Sequence, residues 1–316
     1  MTQVYTLKTL PKDIKNPVVT IGNFDGVHKG HQTLFKKVIE RASDIGGTSL
    51  VITFDPHPIK VMSPGRLKLL ITGKEQKQEL LADFEIDILL LIQFTLEFAS
   101  ISAEDFVKDI LIDRLGVQEV VVGYDYAFGH NRKGNIEVLK EMGQKFHFTV
   151  HQVGPVYLGE KVVSSTSIRN LIMQGKISEA NDLLGREYQI RGKVIKGKSR
   201  GEALLGYATA NLQPADGLSP KRGVYIVTVE IEDTVYQGLT SVGYNPTFKD
   251  EDLSIETHIL GLSQNIVGRH IKINFLSRLR DEIAFSSPEE LSQQISSDIK
   301  TAQEFFTKWT PPAART

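Results

Sequence analysis

The chain has 316 residues, about twice the ~150 of a typical single domain, so two hydrophobic cores are expected. Its 41% hydrophobic and 24% charged residues exclude a disordered, collagen-like or coiled-coil chain, and 37 basic residues against 38 acidic ones leave no global field to gather a nucleic-acid backbone or an anionic membrane. Cysteine is absent, which rules out disulfides, thiolate nucleophiles and Cys-bearing zinc or iron–sulfur sites and fits a cytoplasmic location.

The start, Met1-Thr2-Gln3-Val4-Tyr5, has no basic stretch followed by an apolar one. The longest greasy run, Ile86 to Phe94, includes Asp87 and Gln93 and is about half the ~20 residues of a membrane span. From Pro17 to about Val153, short apolar runs alternate with amphipathic stretches, the pattern of βαβ units on a parallel sheet. The expected strands are Val18 to Ile21, Leu50 to Phe54, Ile88 to Ile92, Val120 to Val122 and Phe148 to Val150. Between the first two, Leu34, Phe35, Val38, Ile39 and Ala42 recur at helical spacing, and Ser102-Ala103-Glu104-Asp105 reads as the capped start of another helix. This predicts a doubly wound α/β domain over residues 1–184, closed by a helical stretch from Ser165 to about Leu184.

Gly185 then opens a region rich in β-branched residues and glycine, predicting an all-β barrel or sandwich over 185–316. Its expected strands include Gln189 to Ile195, Val224 to Ile231, Tyr236 to Val242, Glu256 to Leu260 and His270 to Phe275. Ser287-Pro288-Glu289-Glu290 combines an N-cap serine, a proline at the first helical position and a glutamate at the third, predicting a helix to about Phe306 and a frayed tail from Thr310 to Thr316.

The strongest chemical signal is Gly22-Asn23-Phe24-Asp25-Gly26-Val27-His28-Lys29-Gly30-His31, where the first strand gives way to the first helix. Gly22, Gly26 and Gly30 allow a tight turn and close approach of a ligand, and the helix start offers unpaired N–H groups and a positive dipole end. That describes a polyphosphate cradle, with His28 and His31 on one side of the first turn as hydrogen-bond donors to phosphate. The spacing is neither the Rossmann nor the Walker one. A second phosphate site is expected at Ser164-Ser165-Thr166-Ser167-Ile168-Arg169, where hydroxyls and an arginine open a helix.

The HxGH turn resembles the signature of the nucleotidyltransferase superfamily, in which the histidines stabilise charge as a nucleophile attacks the α-phosphorus of ATP. That resemblance implies Ser165, Thr166 and Arg169 as the clamp on the opposite side of ATP. Two further strings, Thr53-Phe54-Asp55-Pro56-His57-Pro58 and Gly123-Tyr124-Asp125-Tyr126-Ala127-Phe128-Gly129, follow strands at the C-terminal rim, where aromatics and a carboxylate suit a flat heterocycle with a polyol tail. With Gly134 they resemble the adenylyltransferase half of bacterial bifunctional FAD synthetases, the riboflavin kinase/FMN adenylyltransferase family. Asn23 is then expected to support the glycine turn, and Asp55, Asp125 and Phe128 to position flavin and nucleotide.

The resemblance continues through Ala208-Thr209-Ala210-Asn211-Leu212, Val242-Gly243-Tyr244-Asn245-Pro246-Thr247-Phe248, Glu256-Thr257-His258 and Leu279-Arg280-Asp281-Glu282, which match the flavokinase barrel in order. It implies Thr209 and Asn211 as holders of the magnesium and nucleotide of Mg-ATP, and Glu256 as the base for the riboflavin 5′-hydroxyl. The expected function is therefore two-step synthesis of FMN and FAD from riboflavin, with ATP as co-substrate of both steps, Mg2+ as cofactor, and neither nucleic acid nor membrane as partner. The chain departs from the flavokinase pattern at Glu202, Ala203 and Ala208, and at Gly261-Leu262 and Val267. Those departures leave two alternatives, a FAD synthetase with a degenerate barrel and a flavin-sensing module without turnover.

Overall fold

The computed structural model describes residues 2–63, 70–196, 209–215, 217–244 and 253–310. Contacts divide the chain into two compact units, Met1–Ser165 and Thr166–Thr316.

The first unit is built on six parallel strands, β1 (Gln3–Thr6), β2 (Pro17–Ile21), β3 (Thr48–Asp55), β4 (Ile88–Gln93), β5 (Glu119–Gly123) and β6 (Thr149–Val153), in the order β1-β4-β3-β2-β5-β6. Successive residues of a strand face opposite ways, and here both faces are covered. On one side Val19, Ile21, Leu50, Ile52, Val120 and Val122 pack with Phe106, Leu111 and Leu139; on the other Val18, Val51, Leu89 and Val121 pack with Leu34, Phe35, Val38 and Leu81. The second set belongs to helices α1 (Lys29–Asp44) and α3 (Lys74–Ala82), with a short α2 (Pro58–Met62) between them. Burial on both faces is why these strands read as near-continuous apolar runs, and it gives the doubly wound α/β fold expected from the sequence.

Further along come α4 (Leu96–Ala99), α5 (Ala103–Asp105) and α6 (Ile136–Phe146). Ser102 caps α5 by accepting from the Asp105 N–H at 3.0 Å, and the chain then continues as a π-helical turn over Phe106–Ile112. At the amino ends of the central strands, Arg41 grips Glu119 through two bonds of 2.8 Å while His151 contacts the same carboxylate at 2.7 Å, tying α1, β5 and β6 together. From β2 the chain steps outward through β3 to β4, then crosses over to β5 and β6 on the other side. The order thus reverses between β2 and β5, and the crevice at their carboxyl ends is where open α/β sheets bind ligands.

The boundary between the units falls after the first residue of α7 (Ser165–Met173), so the rest of α7 and α8 (Ile177–Leu184), which the sequence places in a domain over residues 1–184, fall in the second unit. Hydrogen bonds from Ser178 to the Leu276 carbonyl, from Asn181 to the Phe275 carbonyl, and from the Tyr188 N–H to the Asn181 side chain fasten α8 to the β-sheet. The sheet is a closed antiparallel barrel of β9 (Tyr188–Ile195), β10 (Thr209–Pro214), β11 (Gly223–Ile231), β12 (Thr234–Tyr244), β13 (Leu253–Ile259) and β14 (His270–Arg280), ordered β10-β13-β12-β11-β14-β9. Closure removes every exposed strand edge.

In the first unit, β7 (Tyr157–Leu158) and β8 (Lys161–Val162) form a small antiparallel hairpin; in the second, helix α9 (Pro288–Lys308) lays Ala302 and Phe306 on Val224, Ile226, Leu239 and Leu276 of the barrel wall. Arg280 clamps α9 by donating to the buried Asp298 carboxylate at 2.8 to 3.0 Å. Ser287 caps the helix as predicted, accepting from the Glu290 N–H at 3.2 Å. The tail predicted to fray lies, from residue 311 onward, outside the described residues.

Candidate functional site

The segment between β2 and α1 carries an unusual load of backbone constraint. Phe24 (φ 49°) and Val27 (φ 43°) both adopt left-handed conformations without being glycine, each costing roughly 1–2 kcal/mol, so the surrounding contacts must hold them there. Asp25 does much of this. Its carboxylate is 3% exposed and accepts from the N–H of Ile71 at 2.9 Å and of Thr72 at 3.1 Å, while the Thr72 hydroxyl accepts from the Gly26 N–H at 3.1 Å. The Gly22 N–H donates to the Ile52 carbonyl at 3.0 Å, fixing the entry to the turn.

His28 is the N-cap of the 16-residue α1, its Nδ1 accepting from the His31 N–H at 3.3 Å. With Nδ1 an acceptor, the neutral imidazole carries its proton on Nε2 and presents that nitrogen as a donor. The two imidazoles stack at 3.6 Å, and the Phe24 ring abuts His31 edge-on at 5.2 Å. A Cβ on Gly30 would stand 3.2 Å from the His28 ring and 3.4 Å from the Val163 carbonyl, so any side chain there must displace the ring by a few tenths of an ångström. Ser165 donates its hydroxyl to the Asp25 carbonyl at 2.8 Å and so joins the same turn.

The structure therefore brings together Gly22, Asn23, His28, Gly30, His31 and Ser165 at the helix start beside the β2/β5 reversal. Thr166 and Arg169 follow on α7, within the second compact unit. Asp55 ends β3 and pairs with Lys74 at 2.6 Å, and the hydrogen bond to its carboxylate, with its negative charge, raises the Lys74 pKa above the ordinary lysine value. Asp125 is exposed just past β5. Phe128 is 8% exposed, stacked on Tyr126 at 5.4 Å and bridged through its backbone to Gly134, so whatever it positions it positions through the loop it anchors.

Sequence reasoning missed Lys77. It is 7% exposed, and its Nζ donates to the Asn23 carbonyl at 3.3 Å, the Thr53 hydroxyl at 3.2 Å and the Phe54 carbonyl at 3.4 Å. Burial lowers its pKa to about 8, against the pull of Asp25 and Asp55. The signal was present: Lys77 precedes Leu80 and Leu81 by three and four residues, on the buried stripe of α3.

On the barrel, Asn211 of β10 lies directly opposite Glu256 of β13, with Thr209 opposite His258. Cross-strand partners have Cβ atoms about 5 Å apart on one face. The neighbouring Leu212 and Ile255 are 3% and 1% exposed, so alternation puts Thr209, Asn211 and Glu256 together on the outer face of the wall. The Ser254 hydroxyl donates to Glu256 at 3.2 Å. Glu202, Ala203, Ala208 and the Asn245-Pro246-Thr247-Phe248 string lie outside the described residues. Among the described residues no group of three His, Asp or Glu side chains is arranged to hold a metal ion, and no helix is long and apolar enough to cross a membrane.

Comparison with known proteins matches residues 10–167 to the FAD synthetase family and residues 184–306 to the riboflavin kinase family. Bifunctional riboflavin kinase/FMN adenylyltransferases are similar over almost the full length: that of Listeria monocytogenes is 37% identical, with 93% of each chain covered. That of Buchnera aphidicola from Acyrthosiphon pisum is 34% identical over 92% of this chain and 94% of its own, and that of Escherichia coli K12 31% identical over 96% of each. A crystal structure described as a macrolide-efflux protein from Streptococcus pneumoniae superposes with a TM-score of 0.86 at 34% identity, covering 98% of this chain and 99% of its own.

Proposed function

The chain belongs to the bifunctional riboflavin kinase/FMN adenylyltransferase family, and on that premise we propose that its two ATP-dependent reactions use two separate sets of residues. It is a two-domain enzyme that phosphorylates riboflavin to FMN and adenylylates FMN to FAD.

For adenylyl transfer, an FMN phosphate oxygen attacks the α-phosphorus of ATP, a new P–O–P bond forms, the α–β bridging bond breaks, and pyrophosphate leaves. The attacking phosphate is already ionised, so no general base is required. What the site must supply is stabilisation of phosphate charge. The Nε2 donor of His28, the His31 imidazole beside it and the positive dipole end of α1 suit that role, with Ser165 holding the turn through its bond to the Asp25 carbonyl. Thr166 and Arg169, next along the chain from Ser165, carry the donor types that the same chemistry uses. Asp55, Asp125 and the loop anchored by Phe128 are assigned to flavin and nucleotide positioning.

For phosphoryl transfer, Glu256 takes the proton from the riboflavin 5′-hydroxyl as that oxygen attacks the γ-phosphorus and ADP departs. The amide of Asn211 directly across from Glu256 supports this assignment. The Thr209 hydroxyl and the Asn211 amide oxygen are hard donors that fit Mg2+ carried in with ATP; when bound, the ion would neutralise phosphate charge. A cytoplasmic location, where riboflavin and ATP are both available, belongs to the same proposal.

The observation that carries the reading is the His28 cap, with its ring stacked at 3.6 Å on His31 at the start of a helix facing the sheet's reversal point. Incubating the chain with riboflavin, ATP and Mg2+ is expected to yield FMN, then FAD with pyrophosphate. Flavin binding without either product would overturn it.

A further inference from the structure

We propose that Lys77 is a positioning residue of the adenylyltransferase site, its buried ammonium holding the Gly22–His28 turn against the end of β3 and supplying a fixed positive charge beneath the polyphosphate cradle; this rests on the functional reading above.

The geometry is that of a cation placed where a leucine would ordinarily sit. Lys77 occupies the buried stripe of α3 with Leu80 and Leu81, yet all three oxygens it contacts, from Asn23, Thr53 and Phe54, are neutral. Two of them belong to the carboxyl end of β3 and the third to the turn after the adjacent strand β2, so one side chain ties that turn to the neighbouring strand. In a trans peptide the carbonyl and the following N–H point in opposite directions, so drawing the Asn23 carbonyl toward Lys77 turns the Phe24 N–H away from it. That same bond helps to hold Phe24 in its left-handed conformation (φ 49°).

A buried cation whose direct contacts are all neutral oxygens is costly, and a fold needing only an anchor here would use an apolar side chain. Among the described residues, the charged groups that act on it are Asp25 in the turn and Asp55 at the end of β3, the latter paired with Lys74 on the same helix as Lys77. Asp25 is engaged with Ile71 and Thr72, and Asp55 with Lys74, so each acts on Lys77 across space and neither contacts its Nζ in the structure. An incoming polyanion adds its attraction to that of these two carboxylates. By linkage, nucleotide and proton must then favour each other at this site.

The sign of the pH effect follows. Lys77 is charged below about 8 and neutral above it. In the free enzyme its deprotonation removes one donor and the charge, so kcat/KM for ATP in FMN adenylylation should fall above that pH, whereas kcat, which reports the bound complex, should hold to higher pH. Stability should move the other way. The unfolded chain retains its proton up to the ordinary lysine value of 10.5, so between about 8 and 10.5 the unfolded state binds more protons and this group's contribution to stability rises with pH.

The test measures kcat/KM for ATP in FAD formation from supplied FMN, pH 7 to 10, on wild type, Lys77→Arg and Lys77→Met. Riboflavin phosphorylation by the same preparations corrects for pH effects on ATP and metal. Wild type should show the alkaline fall, Lys77→Arg should abolish or displace it, and Lys77→Met should be lower by on the order of 100-fold at neutral pH, with a flat profile. Denaturation from pH 8 to 10 should show wild type gaining stability relative to Lys77→Met. A wild-type profile that stays flat, or an alkaline fall that persists unchanged in Lys77→Met, overturns the proposal even if a variant folds poorly, since the first needs no variant. Failure of wild type to make FAD at all would instead sink the functional reading.

Discussion

Replacing Asp25 by alanine removes the acceptor for two backbone N–H groups, those of Ile71 at 2.9 Å and Thr72 at 3.1 Å, in residues only 3% and 5% exposed. Water does not reach such donors, and each one left unsatisfied costs about 1–3 kcal/mol. Losing a buried carboxylate near the Lys77 ammonium adds to this, so the expected cost is on the order of 3–5 kcal/mol. For a unit of this size that lowers the midpoint by roughly 10 °C, at about 2–4 °C per kcal/mol. The chain has a single tryptophan, Trp309, which packs on Phe306 at 5.8 Å at the end of the helix on the barrel. Its fluorescence therefore reports the second unit, while far-ultraviolet circular dichroism reports both. Asp25→Ala should split the melting curve, moving the dichroism transition down and leaving the Trp309 transition in place. Asp25→Asn, which keeps an acceptor oxygen, should cost visibly less. An unmoved dichroism transition in the alanine variant, or equal losses in both, would refute the hydrogen-bond reasoning.

The mirror-image substitution is Arg280→Met, which leaves the buried Asp298 carboxylate without its two-pronged partner; a loss of about 3–5 kcal/mol should now appear in the Trp309 signal. Gly30→Ala introduces a Cβ 3.2 Å from the His28 ring, and the resulting displacement of a few tenths of an ångström should cut FAD formation about tenfold without affecting riboflavin phosphorylation, as chromatography of the flavins would reveal.

The α/β half could be read from sequence because its strands are buried on both faces and bounded by helices at 3.6-residue spacing. β1 escaped notice for the opposite reason: Gln3–Thr6 is short, largely exposed, and held to β4 by backbone pairing that leaves no side-chain pattern. β10 contains an asparagine and a proline, poor strand formers, and exists because β9 and β13 pair with it from both sides. The same non-local register sets Asn211 opposite Glu256, a juxtaposition that no spacing along the chain encodes. Within the turn, glycines and histidines raised the expectation of a phosphate site, through residue type and their place between strand and helix. Asp25 and Lys77 raised none, since an aspartate in a glycine turn and a lysine on a helix ordinarily face solvent; burial distinguishes Asp25, and the spacing of Lys77 to Leu80 and Leu81 was its one sequence signal.

The central claim is that the two reactions are carried by different residues, His28 at one and Glu256 at the other. It is tested most directly by one flavin chromatography time course on His28→Ala and Glu256→Ala, each given riboflavin and, separately, FMN, with ATP and Mg2+. The histidine variant should accumulate FMN and make no FAD, and the glutamate variant should leave riboflavin untouched yet convert supplied FMN to FAD. Parallel loss of both products in either variant, at unchanged stability, would contradict the account.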